Sequence, residues 1–131
     1  MFVDASALVA IIAREEGWET LAKRAELAKD RLTSPIAIYE ASQAIARKGG
    51  VSAGDGCAEV MSFLDAARIR AVDITAQDGV DALEAFLRYG KGRHRAALNM
   101  GDCFAYACAK AAKVPLLFKG DDFVHTDIEA A

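Results

Sequence analysis

Short apolar segments that run straight into an acid, each followed by a helix-like stretch, constrain this chain more than any other feature. The first thirteen residues, Met1–Ala13, set the pattern with MFVDASALVAIIA. Met1-Phe2-Val3 reads as a short buried strand ending at Asp4. A helix starts at once, through Ser6 and the alanine-rich run Ala7–Ala13. In open α/β sheets ligands bind outside the carboxyl ends of the strands, so an acid there is a site candidate. Taken alone, Asp4 or Ser6 is better explained as a helix cap, since both residue types accept from orphan N–H groups.

The alternation continues along the chain. Trp18, Leu21, Ala22, Ala25 and Ala28 recur at helical spacing. Arg31-Leu32-Thr33 reads as a strand, and Ser34-Pro35 as a cap and first helical position. In the helix from Pro35 to Lys48, Glu40, Gln43 and Arg47 share one stripe, opposite Ile38, Ala41 and Ile45. Arg47 there fits a solvated face. Gly49-Gly50 ends the helix. The next starts at Ser52 or Gly54-Asp55 and turns Cys57, Val60, Met61 and Leu64 to the core. Arg70–Ile74 is a strand candidate. Thr75 caps a helix over 76–89 with Val80, Leu83, Phe86 and Leu87 inward. Asp102 opens or caps a helix over 102–112, and Val114–Phe118 has the continuous apolarity of a buried parallel strand.

These elements predict one α/β domain over residues 1–131, with a central parallel sheet flanked by helices in three layers. A chain of 131 residues with 53% hydrophobic and 27% charged content can bury such a core. No apolar run reaches the ~18 residues of a membrane span. The start lacks the basic region of a signal peptide, which predicts a cytoplasmic protein. Three cysteines, Cys57, Cys103 and Cys108, have no metal spacing and read as reduced, small hydrophobes. The net charge of −3 gives no global field for a polyanion. The one basic cluster is Lys91, Arg93, His94 and Arg95, in a loop just before Gly101-Asp102.

Four acidic places look alike, Asp4, Glu40, Asp102 and the Asp121-Asp122 pair, and if the strands are parallel at least three of them converge on one sheet edge. Each has a cap or turn explanation alone. Clustered carboxylates repel one another and raise their own pKa values, so a cation is the natural occupant. Oxygen-only ligands favour Mg²⁺ or Mn²⁺ over zinc. A bound divalent ion can activate water for attack on phosphorus and neutralise the leaving oxygen, which is nuclease chemistry. Lys91, Arg93, His94 and Arg95 would then be a local RNA-binding arm.

At this point the sequence resembles the PIN-domain ribonucleases, and within them the VapC toxins of toxin–antitoxin pairs. The likeness spans nearly the whole chain. It is carried by Val3-Asp4-Ala5-Ser6-Ala7, Tyr39-Glu40-Ala41, Tyr89–Ala96, Asn99–Ala107 and Leu116–Phe123. The resemblance implies a PIN-like fold and a catalytic, metal-binding acidic quartet at Asp4, Glu40, Asp102 and Asp122. Asp121, beside the last, is an alternative ligand. Ser6 matches the family's hydroxyl after the first acid. The resemblance also implies Mg²⁺- or Mn²⁺-dependent cleavage of RNA, often tRNA, a homodimer, and a cognate VapB antitoxin. The early helices, with Leu8, Ile11, Ile12, Trp18 and Leu21, are candidates for the dimer surface or for core. Two other classes compete: a Mg²⁺-dependent phosphatase or phosphotransfer domain, and a non-catalytic RNA-binding module. A covalent aspartyl-phosphate would mark the first; retained acids argue against the second.

Overall fold

A computed structural model describes residues 1–131. Four strands form one parallel sheet: β1 (Phe2–Val3), β2 (Arg31–Thr33), β3 (Ile69–Ala71) and β4 (Leu116–Leu117). Six helices connect them: α1 (Ala5–Ile12), α2 (Trp18–Leu27), α3 (Pro35–Gly49), α4 (Ala53–Ala66), α5 (Ala76–Tyr89) and α6 (Met100–Ala112). The strand order is β3-β2-β1-β4, with Phe2 opposite both Leu32 and Leu116. The chain therefore winds outward from β1 to β3 and returns to the other side of β1. That reversal makes a switch point between the carboxyl ends of β1 and β4.

Alternation along the short strands builds two cores, one on each face. Val3 and Leu117 pack with Leu8, Ile11, Leu21, Ile45, Val60 and Leu64 from α1 to α4. Phe2, Leu32 and Leu116 face the other way, against Leu98, Cys103, Tyr106 and Phe123. The result is the three-layer α/β/α arrangement expected from the sequence. Apolar residues of the early helices belong to the first core: Leu8, Ile11 and Leu21 are buried, while Ile12 and Trp18 pack against it. They form or cover the core.

Local signals explain most boundaries. Ser34 accepts from the Ala37 N–H with Pro35 at the first helical position, and Gly50 closes α3 in the left-handed region. Ser52 caps α4 and Thr75 caps α5 in a full capping box with Asp78. Other expectations need correction. The third strand covers Ile69–Ala71, not Arg70–Ile74, and the fourth only Leu116–Leu117 of the apolar run 114–118. In α4 only Val60 and Leu64 of the expected stripe are buried; Cys57 and Met61 are exposed. In α5 the buried face is Asp78, Ala82 and Ala85. Val80, Leu83 and Leu87 point outward, 52%, 59% and 53% exposed, and Phe86 is half-buried. Alanines let α5 approach α6 closely, and the larger side chains are displaced to the outer face.

Candidate active site

The acidic positions meet at the switch point. Asp4 follows β1 and caps α1. Its Oδ2 accepts from the Ser6 backbone N–H at 2.9 Å and from the Ser6 hydroxyl at 2.5 Å. Ser6 Oγ in turn accepts from the Lys119 N–H at 3.0 Å. One hydroxyl thus ties the segment after β1 to the segment after β4. Asp4 performs both roles weighed from the sequence: it is a cap, and it stands in the cavity, 4% exposed.

Asp102 does not open α6. Asn99 is the cap, accepting from the Asp102 N–H at 2.9 Å, and Asp102 Oδ2 accepts from the Asn99 N–H at 2.9 Å. The reciprocal pair fixes the Asp102 carboxyl in the first turn. Between them, Gly101 is required by close approach. A Cβ there would lie 2.1 Å from Glu40 Oε1 and 2.3 Å from Oε2. The Glu40 carboxylate of α3 therefore rests directly on the start of α6.

These groups line a cavity of about 420 Å³, with Asp4, Glu40, Asp102 and Asp122 on its acidic side and Ser6 and Asn99 beside them. Asp121, exposed next to Asp122, is not part of the lining. Nor are Lys91, Arg93, His94 and Arg95. Their loop packs on α5 instead: Arg93 lies 5.4 Å over the Phe86 ring and His94 meets Tyr89 edge-on at 5.3 Å. The cations that do line the cavity are Arg47 and Lys119, with Glu15 beside them. Arg47 had a usable signal, since it shares the stripe of Glu40 and Gln43. Lys119 had only its place between β4 and Asp122.

Asp4, Glu40 and Asp102 hold their protons tightly. Burial raises Asp4 above the usual carboxylate range, opposed by the Ser6 bonds and reinforced by the Asp122 charge. Burial, then the Asp4 charge, raises Glu40. Asp102 is pushed up to about 7 by burial, with Asp4, Asp122 and Glu40 adding repulsion against the opposing Asn99 N–H bond. Such mutual repulsion is relieved by a cation. The donor set is oxygen only, which suits Mg²⁺ or Mn²⁺. As placed, no three of these side chains form a ready ligand set. That still fits Mg²⁺, which keeps several waters and takes one or two carboxylates directly.

A three-layer fold with four acids at the switch point of a parallel sheet is the arrangement of a PIN domain, and a PIN-domain family profile matches residues 1–129. The chain belongs to the PIN-domain family. Within it, the chain groups with the VapC ribonucleases. It is 44% identical to a VapC ribonuclease of Rhizobium meliloti (strain 1021), over 97% of this chain and 98% of that one. It is 41% identical to ribonuclease VapC30 of Mycobacterium tuberculosis, over 98% and 95%. The same identity relates it to a ribonuclease VapC of Mycolicibacterium smegmatis, over 99% and 98%. The fold matches the crystal structure of VapC20 of Mycobacterium tuberculosis, a Sarcin-Ricin loop cleaving toxin. That match has a TM-score of 0.77 at 16% identity, over 99% of this chain and 97% of that one. No helix is long and apolar enough to cross a membrane.

Proposed function

We propose that this protein is a metal-dependent endoribonuclease, the toxin of a toxin–antitoxin pair, acting on RNA in the cytoplasm. The observation that carries the reading is the convergence of Asp4, Glu40, Asp102 and Asp122 on one cavity at the switch point. A divalent cation, Mg²⁺ or Mn²⁺, would be held by these acids, with Asp121 within the same segment. When bound, such a cation supplies an activated water and neutralises charge on the phosphodiester.

The chain's own residues prepare that step. Ser6 orients the Asp4 carboxylate and opposes the effect of burial, which favours its anionic form. Asp102, with its high proton affinity, would be a ligand to that cation in its ionised form, and the Asn99 N–H bond holds its carboxyl in place. Glu40 leans on Gly101 and so cannot move toward α6. Lys91, Arg93, His94 and Arg95 serve as outer contacts to the RNA. The homodimer surface is the outer face of α5 with the start of α6. There Leu83, Phe86, Met100 and Phe104 line an apolar groove of about 320 Å³, continuous with exposed Val80 and Leu87. A cognate VapB-type antitoxin is the expected inhibitor.

The test is cleavage of total tRNA by purified protein with Mg²⁺, Mn²⁺ or EDTA, beside an Asp4→Ala control. Discrete, metal-dependent products absent from the control are expected. A labelled aspartyl-phosphate on the protein would favour phosphotransfer instead, and RNA binding without any cleavage would favour a binding module.

A further inference from the structure

The cavity that holds the acids has a cationic side, and the proposed reaction has given it no role so far. Glu15, just after α1, is bracketed by two lysines: Lys48 Nζ lies 2.6 Å from Oε1, and Lys119 Nζ lies 2.8 Å from Oε2. One carboxylate is shared by two ammonium groups, so the cluster keeps a net positive charge. Arg47 adds another cation on the same cavity wall. Lys119 is positioned with care, because its backbone N–H is bonded to Ser6 Oγ, which donates to Asp4. The Lys119 backbone is thereby tied to the central acid, and its ammonium is held by Glu15.

An exposed ion pair of this kind adds only about 0–1 kcal/mol to stability. A purely structural role gives no reason for two lysines on one acid at the mouth of a carboxylate cavity. A diester passing over the acids has further phosphates on either side of the bond to be cut. Each needs a cation, because the acidic wall would otherwise repel it.

We propose that Lys119 and Arg47 form a subsite for the RNA phosphate next to the one cleaved, and that Glu15 is the resident anion this phosphate displaces from Lys119. The inference rests on the nuclease reading, but it is tested through binding alone. Glu15 lies in the place of a substrate anion, lowering the effective affinity for RNA and keeping the lysine charge neutralised in its absence. The loop cations Lys91, Arg93 and Arg95 lie outside the cavity and contribute only outer contacts.

The experiment is fluorescence anisotropy of a labelled single-stranded RNA in Ca²⁺ buffer over a salt series, with the RNA checked for integrity afterwards. The proteins are wild type, Lys119→Gln, Arg47→Gln and Glu15→Gln, with thermal melting of each. Lys119→Gln and Arg47→Gln should each weaken binding about fivefold. Each should also lower the salt slope by about 0.7, the loss of one phosphate contact on a single strand. Glu15→Gln should tighten binding about twofold or more, because the competing anion is gone. Opposite signs for Glu15→Gln and Lys119→Gln are the signature; a structural tie would make both weaken binding together with the melting temperature. Unchanged slopes in the two cation variants, or a wild type that binds no RNA, would overturn the proposal. Asp4→Ala cleavage assays report on the nuclease reading separately, since loss of cleavage with binding retained leaves the subsite result standing.

Discussion

Replacing Asp102 by Asn should make the metal-free protein more stable while removing its activity. The carboxyl of Asp102 is pushed from an ordinary value of 3.8 up to about 7. The unfolded chain releases this proton near the ordinary value, and the folded chain holds it until about neutrality. Between those limits the folded state binds more protons, so stability falls as pH rises. Above both values the full cost of ionising Asp102 among the other acids is present. Fully screened from solvent, that displacement would be worth about 4 kcal/mol. The side chain is only half-buried, so solvent screening cuts the expectation to about 1–2 kcal/mol. Asn preserves the geometry, because its Oδ1 can still accept from the Asn99 N–H that now bonds Asp102 Oδ2. Urea unfolding in EDTA at about pH 8 should therefore show Asp102→Asn more stable by about 1–2 kcal/mol, or roughly 5 °C in melting temperature. The gap should close toward pH 4, where the wild-type carboxyl is protonated in the native state. Saturating Mg²⁺ should then stabilise wild type by about 2.7 kcal/mol at a hundred times its Kd and restore its advantage. A variant no more stable than wild type at pH 8, or a gap that does not change with pH, would refute the account of repelling acids.

Further expectations follow from the same geometry. Asp4→Ala and Asp102→Ala should each lower RNA cleavage at least about a hundredfold with the circular dichroism spectrum intact, the scale of losing a charged group at the reacting centre. Gly101→Ala drives a methyl into the Glu40 carboxylate, so a loss of about 1–3 kcal/mol in urea unfolding or a measurable drop in Mg²⁺ affinity by calorimetry is expected. Ser6→Ala removes the hydroxyl bond that favours the Asp4 anion and leaves the backbone N–H bond in place, so the acid limb of the pH–rate profile should move to higher pH. Leu83→Glu, on the exposed face of α5, should shift the protein from dimer to monomer in light scattering, and unchanged mass would move the dimer surface elsewhere.

The site acids were legible because each lies beside a boundary the sequence marks strongly. Asp4 ends an apolar triplet, Glu40 lies one turn past Ser34-Pro35, and Asp122 follows an apolar run. Their convergence follows once the sheet is parallel. What stayed hidden depends on which neighbour covers a helix. The stripe Val80, Leu83 and Leu87 has the spacing of a core face. Yet α5 packs on α6 through Ala82 and Ala85, since small residues allow the shorter distance. Nothing local distinguishes a stripe that is buried within the chain from one left for another molecule. The basic wall was hidden for a similar reason. Lys91, Arg93 and Arg95 advertise charge by clustering, whereas Arg47 and Lys119 lie far apart in the sequence and line one cavity only once the chain has folded.

The pairing of Phe2 with Leu116 has a kinetic consequence. The first and fourth strands are only two residues each and stand more than a hundred residues apart, so the central ladder closes one of the longest loops the chain can make. Local contacts in α3 and α4 can form early, but closure of that loop carries a large entropic barrier and slows folding. Asp4 and Asp122 come together in that same closing step. Partly folded chains are thus spared the repulsion of the acids and have no cutting centre. In refolding, nuclease activity should return with the slow phase that buries Phe2, and not with the earlier gain of helix.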